Sequence, residues 1–154
     1  MRIRKAVIED VKAIHQLLNH YAEQKLLLPR SLSELYDHVR GYFVLDDGTK
    51  TPNRIAGVCG LGICWEDLAE IRSLAVFEGV CGKGYGTKLV NACLKEARTL
   101  GIKRVFALTY APGFFLHMGF QEVDKSVLPH KIWGDCLKCP KFPQCDETAL
   151  MIEL

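Results

Sequence analysis

The sequence reads as one mixed α/β domain. Three features carry this. Short apolar runs suited to strands outnumber the helical stretches in the first half of the chain. A strand, a glycine loop, a helix and a second strand then follow one another between Leu68 and Tyr110. The chain has 154 residues, 49% of them apolar and 25% charged, which suits a single globular unit with a proper core.

Each element has its own local reason. Residues 2–7 alternate well enough for a first strand. In "IEDVKAIHQLLNHYAEQ", Val11, Ile14, Leu17, Leu18 and Tyr21 recur at helical spacing. Ser31 and Glu34 form a capping-box pattern that predicts a short helix over Leu32–Arg40. "YFVLDDGTKTPNRIAGVCGLGIC" reads as a hairpin around Asp46-Asp47-Gly48. "LAEIRSLAV" is a further strand. Beyond the glycine loop, Leu89, Val90, Cys93, Leu94 and Ala97 make a helix face that Gly101 ends. "KRVFALTY" is a buried strand, and the helix before it allows it to run parallel to "LAEIRSLAV". Pro112 suits the first turn of a short helix, Gly119 closes it, and "ALMIEL" is a last strand. The Pro-, Cys- and Lys-rich segment between Gln121 and Glu147 reads as loop.

The formal net charge of +2 and the lack of a basic run speak against a nucleic-acid partner. No apolar stretch approaches the roughly 20 residues of a membrane span. The N-terminus has charges every few residues and no apolar signal core. The expected location is cytoplasmic, with the seven cysteines mostly reduced.

"CGKGYG", Cys81 to Gly86, sits between a strand and a helix. Free amides and the helix dipole make phosphate the natural ligand of such a loop. A P-loop needs Ser or Thr after Gly-Lys, and here Gly84 follows Lys83. A dinucleotide loop needs G-x-G-x-x-G, and here the glycines run G-x-G-x-G. A tight turn with close helix packing is the plain structural alternative.

The surroundings add a resemblance. "LAV…CGKGYGTKLV" resembles the acetyl-CoA-binding motif of the GNAT acetyltransferase superfamily, with Cys81 where Arg or Gln is usual. "VFALTYAPGFFLHMGF" looks like that family's following strand, short helix and closing Gly-Phe. The resemblance implies a mixed, mostly antiparallel sheet with helices on both faces, and acetyl-CoA as co-substrate. It also implies a strand that splays from its neighbour: Leu74, Ala75 and Val76 would meet the pantetheine, and Gly82, Lys83, Gly84, Tyr85, Gly86 and Thr87 the pyrophosphate.

Acyl transfer to an amine needs a base for the amine and an acid for the leaving thiolate. Glu70 and Arg72 share one face of a strand by alternation. Glu70 lies where several GNAT enzymes place a general-base glutamate; a simple Glu–Arg surface pair is the alternative. The family's usual acid, a tyrosine, is replaced by Phe115, and Tyr110 is the nearest substitute. "LLLPRS", "EIRSLAV" and "LPHKIW" look like the short N-acetylglutamate synthases, and like the acetyltransferase half of the longer ones. That implies a small amino-acid acceptor with carboxylates for Arg30, Arg72 and Lys131, since guanidinium matches carboxylate bidentately. Acetylation of another amine, on a protein or a small metabolite, and non-catalytic sensing of coenzyme A or an amino acid are the rival functions. Oligomeric state is open, a homodimer included.

Cys136, Cys139 and Cys145 lie at C-x2-C-x5-C spacing, with His130 six residues earlier. A Cys3His zinc site is sensible chemistry. With a single CxxC pair, and resembling synthases that no metal defines, the expectation is no metal. Cys59, Cys64 and Cys93 read as small core residues.

Overall fold

The computed structural model describes residues 1–24, 26–27, 29–49, 55–128 and 147–154. Within them the chain runs β1 (Arg2–Lys5), α1 (Val11–Glu23), α2 (Leu32–Asp37), β2 (Tyr42–Asp46), β3 (Ile55–Trp65), β4 (Leu68–Val76), α3 (Tyr85–Thr99), β5 (Arg104–Thr109), α4 (Pro112–His117), β6 (Gln121–Val123) and β7 (Thr148–Glu153). The strands form one sheet in the order β1-β2-β3-β4-β5-β7-β6. Only the β4–β5 pair is parallel among these strands, joined by α3 as the sequence predicts.

Buried clusters cover both faces. On one, α3 lays Leu89, Val90, Cys93, Leu94 and Ala97 on Phe43, Leu45, Cys59, Leu61, Ala69 and Ile71, and α4 adds Phe115. On the other, Val11, Ile14 and Leu18 of α1 and Leu35 of α2 pack on Val44 and Val58. Phe115 stands edge-on to Phe114 and Phe120, so the residue at the usual tyrosine position is a core ring. Cys59, Cys64 and Cys93 are buried, as expected, and Cys81 is exposed.

Two elements differ from the sequence reading. Gln121–Val123, expected as loop, is a short edge strand on β7. Three residues are too few for a visible alternation; the partner strand specifies them. The second helix ends at Asp37 and a 3-10 turn, Val39–Gly41, completes the span. Its start holds: the Ser31 hydroxyl accepts from the Glu34 amide at 3.1 Å.

The decisive irregularity is in β4. Val58 faces Ala75 and Gly60 faces Arg72, so Ser73 and Leu74 together oppose the one residue Cys59. This is a β-bulge, and Ser73 takes φ 55° to make it. A non-glycine residue in that region costs on the order of 1–3 kcal/mol. The bulge reverses the alternation: Leu74 and Val76 pack toward α3 and Ala75 toward α1. Pairing between β4 and β5 stops at Ile71 and Ala107, just before the bulge. Beyond that point the two parallel strands are no longer paired with each other.

Candidate active site

The opening between β4 and β5 offers backbone on one wall. The Phe77 amide donates to the Ala56 carbonyl at 2.7 Å. Backbone groups alternate along a strand, so Ala75 turns its own toward β3, and Leu74 and Val76 turn theirs toward β5. Of the three residues expected along the pantetheine, the geometry therefore offers Leu74 and Val76, while Ala75 belongs to the β3 ladder. The Tyr21 hydroxyl, on α1, donates to the Val76 carbonyl and ties the helix to this edge. Sequence reading placed Tyr21 on a core face and missed this contact.

The loop below the opening is shaped by its glycines. Gly82 has φ 81° and Gly84 has φ 80°, and a Cβ on either would meet no protein atom within 4 Å. Backbone conformation is thus the reason for glycine at both positions. Gly86 is different, because its Cβ would touch the Phe114 ring at 3.4 Å. Gly84 is the N-cap of α3 and no side chain caps that end. Amides in the first turn, at Tyr85, Gly86 and Thr87, sit where a helix receives an anion. Lys83 is exposed on the loop, and the Lys88 ammonium lies 5.4 Å from the centre of the Tyr85 ring.

Glu70 and Arg72 lie on the opposite face from α3, upstream of the bulge. Glu70 is 7% exposed, with Phe106 beside it on β5 and Gly62 on β3. Its Oε1 is 3.0 Å from Arg72 Nη2, and the two side chains are 10% and 20% exposed. The expected alternative of a surface pair is therefore wrong in one respect: the pair is largely buried. β3 makes room for it. A Cβ at Gly62 would stand 2.2 Å from Arg72 Nη2, and one at Gly60 would stand 2.8 Å from the Tyr42 ring and 3.1 Å from Arg72 Cγ. The stretch Gly60-Leu61-Gly62 clears one face of the strand for a neighbour's long side chain. That alternation was visible in the sequence and is the signal that sequence reading left unused.

Tyr42 is the other residue that sequence reading missed. It is 3% exposed, and burial pushes its phenol up from the ordinary value. The nearby Ser73 hydroxyl and the charges of Arg30 and Arg72 pull the other way. Arg30, from the segment before α2, and Arg72 thus both lie within electrostatic reach of this phenol. Arg30 also reaches Glu34 at 3.4 Å. Tyr110 is half-buried just past the end of β5, on the far wall of the opening. Lys131, Trp133, His130, Cys136, Cys139 and Cys145 lie outside the described residues.

A bulged strand parting from its parallel neighbour, above a left-handed glycine loop and an uncapped helix end, is the arrangement that the resemblance to acetyl-CoA-dependent transferases leads one to expect. The chain belongs to the acetyltransferase (GNAT) family, whose profile matches residues 8–120. It is 38% identical over 149 residues to an uncharacterized N-acetyltransferase of Chlorobaculum tepidum, covering 97% of this chain and 94% of that protein. It is 35% identical over 133 residues to an amino-acid acetyltransferase of Mycobacterium tuberculosis, covering 86% of this chain and 75% of that one. Among solved structures it is similar to the N-acetylglutamate synthase of Neisseria gonorrhoeae, complexed with coenzyme A and N-acetyl-glutamate. There the identity is 28% and the TM-score 0.86, over 99% of this chain and 35% of that chain. The protein is an acetyltransferase and acetyl-CoA is its co-substrate. Among the described residues no helix is long and apolar enough to cross a membrane.

Proposed function

We propose that this chain transfers acetyl from acetyl-CoA to the α-amino group of glutamate or of a close relative such as glutamine, the first step of arginine biosynthesis. The observation that carries the reading is a pair of largely buried guanidinium groups, Arg30 and Arg72, whose side chains are 10% and 20% exposed and which both lie within electrostatic reach of the Tyr42 phenol. Two largely buried guanidinium groups suit a small acceptor that carries carboxylates. The names of the relatives point the same way.

The roles follow from placement. Backbone groups of Leu74 and Val76 pair with the pantetheine, and amides of Gly82–Thr87 hold the pyrophosphate. Glu70, on the floor beside Arg72, takes the proton from the acceptor amine as its nitrogen attacks the thioester carbonyl. Tyr110, across the opening, returns a proton to the leaving thiolate.

Thiol release measured with a panel of amines tests the acceptor. Glutamate should react best, glutamine more slowly, and a lysine peptide hardly at all. Arg30→Ala removes a charge-assisted hydrogen bond, which is worth about 1.5–3 kcal/mol. It should lower kcat/KM for glutamate roughly ten- to more than a hundred-fold and leave KM for acetyl-CoA nearly unchanged. A peptide that outruns glutamate, or an Arg30→Ala enzyme with parental kcat/KM, would assign the site to another amine.

A further inference from the structure

In the proposed complex one guanidinium has two carboxylates to serve. Arg72 holds Glu70 in the protein itself, and the acceptor presents a second carboxylate to the same place. Resting on the acceptor reading above, we propose that Arg72 couples recognition to chemistry: the acceptor's carboxylate draws the guanidinium from Glu70, which becomes the stronger base only when an amine with a carboxylate is bound.

The geometry supplies both halves. Arg72 engages Glu70 through Nη2 at 3.0 Å. Its Nε is buried with no hydrogen-bond partner among the described residues. A guanidinium has a fork of donors, and an unmatched buried donor favours any acceptor that reaches it. The group rests on bare β3 backbone at Gly62, so that residue sets no side chain against the guanidinium.

Electrostatics gives the direction. A cation in contact with a carboxylate favours its ionised form, which then takes a proton poorly. A second anion on the same cation weakens that hold and adds like-charge repulsion, and both raise the proton affinity of Glu70. Several neighbours of Glu70 can be placed among the described residues. On β4 it is Arg72; on β3 and β5 the residues opposite are Gly62 and Phe106, which do not titrate. From β2 comes Tyr42, packed with Arg72 over Gly60, and Arg30, from the segment before α2, lies within electrostatic reach of the Tyr42 phenol. The consequence is selection in the rate as well as in affinity. An amine without a carboxylate meets Glu70 while Arg72 still holds it.

Carboxyl-carbon NMR of protein labelled with [δ-13C]glutamate tests this, in the presence of coenzyme A so that no acetyl is transferred. The Glu70 signal is assigned by its loss in Glu70→Gln. Unlabelled glutamate should raise the titration midpoint of Glu70 by about one pH unit or more, and butylamine should leave it in place. In Arg72→Gln the midpoint should already be raised in the free protein, with little further response to glutamate. Gly62→Ala displaces the guanidinium without changing any charge and should move the midpoint the same way. A midpoint that stays put while glutamate binds and is acetylated would overturn the inference and leave the acceptor reading standing. Parental behaviour in Gly62→Ala would also overturn it. Glutamate that neither binds nor reacts would overturn the acceptor reading, and the inference with it.

Discussion

Around Gly82–Thr87 the site is made of backbone; around Glu70 and Arg72 it is made of side chains. The first region is one continuous stretch, a strand end, a loop and a helix start, and its chemistry comes from amides that every residue has. Its sequence requirement is therefore for particular φ values, met by Gly82 and Gly84 at about 80°. The second region gathers Arg30, Tyr42, Gly60, Gly62, Glu70 and Arg72 from four separate segments. Its requirement is for charge, hydroxyl and empty space in register across three strands. Between them stands the Ser73 bulge, which ends one pattern and starts the other. Under the proposed function, the region of backbone serves the co-substrate and tolerates varied side chains, and the region of side chains sets the choice of acceptor.

The largest separation between the two regions should come from Glu70→Gln. The change keeps shape and removes basicity, and loss of a general base costs about 10²–10⁴-fold in rate. Turnover should fall by that order at neutral pH and recover in part at high pH, where free amine is abundant without help. Binding of coenzyme A, measured by calorimetry, should be unaffected. Parental turnover would leave Glu70 as the structural partner of Arg72.

The converse change is Gly84→Asp. Aspartate tolerates a left-handed φ and suits a helix N-cap, so the fold should survive. Its carboxylate would stand where the pyrophosphate belongs, and like charges brought together cost several kcal/mol. Affinity for coenzyme A should drop by more than about a hundred-fold, since about 1.4 kcal/mol is a factor of ten. Calorimetry gives the affinity and thermal unfolding confirms the fold. Binding as tight as the parent's would remove the loop from the cofactor site.

The same contrast explains what could be read from the residues alone. The helix faces and the loop are local patterns, the βαβ unit is a succession of such patterns from Leu68 to Thr109, and they were legible. Glu70 and Arg72 were legible as neighbours because strand alternation is local too. Tyr42 was not, because its place beside Arg72 depends on β2 lying beside β3. Tyr21 was read only as an apolar helix position, since nothing in α1 reveals which carbonyl its hydroxyl will reach. The bulge was hidden for a further reason: Ser73 is an unremarkable residue for a strand, and only the competing registers on either side force its φ. Glycine spacing in β3 was in plain view, but its meaning depends on the side chain of another strand.

The smallest expected effect sharpens the comparison further, because it sets one glycine against another. In Gly82→Ala the new methyl meets no protein atom within 4 Å, so the whole cost is conformational. A left-handed alanine costs roughly 1–2 kcal/mol. Because that cost falls on the loop, the expected result is up to about tenfold weaker coenzyme A binding, with acceptor KM unchanged. In Gly60→Ala the φ is ordinary and the methyl meets the Tyr42 ring at 2.8 Å and Arg72 Cγ at 3.1 Å. Overpacking of this kind costs about 1–3 kcal/mol and moves the side chains it touches. Here the loss should appear in acceptor kcat/KM, with coenzyme A affinity kept, because the displaced groups all belong to the side-chain region. Steady-state kinetics with both substrates varied, alongside calorimetry, distinguishes the two patterns. If Gly60→Ala weakened coenzyme A and spared the acceptor, the division of the site into a backbone half and a side-chain half would fail.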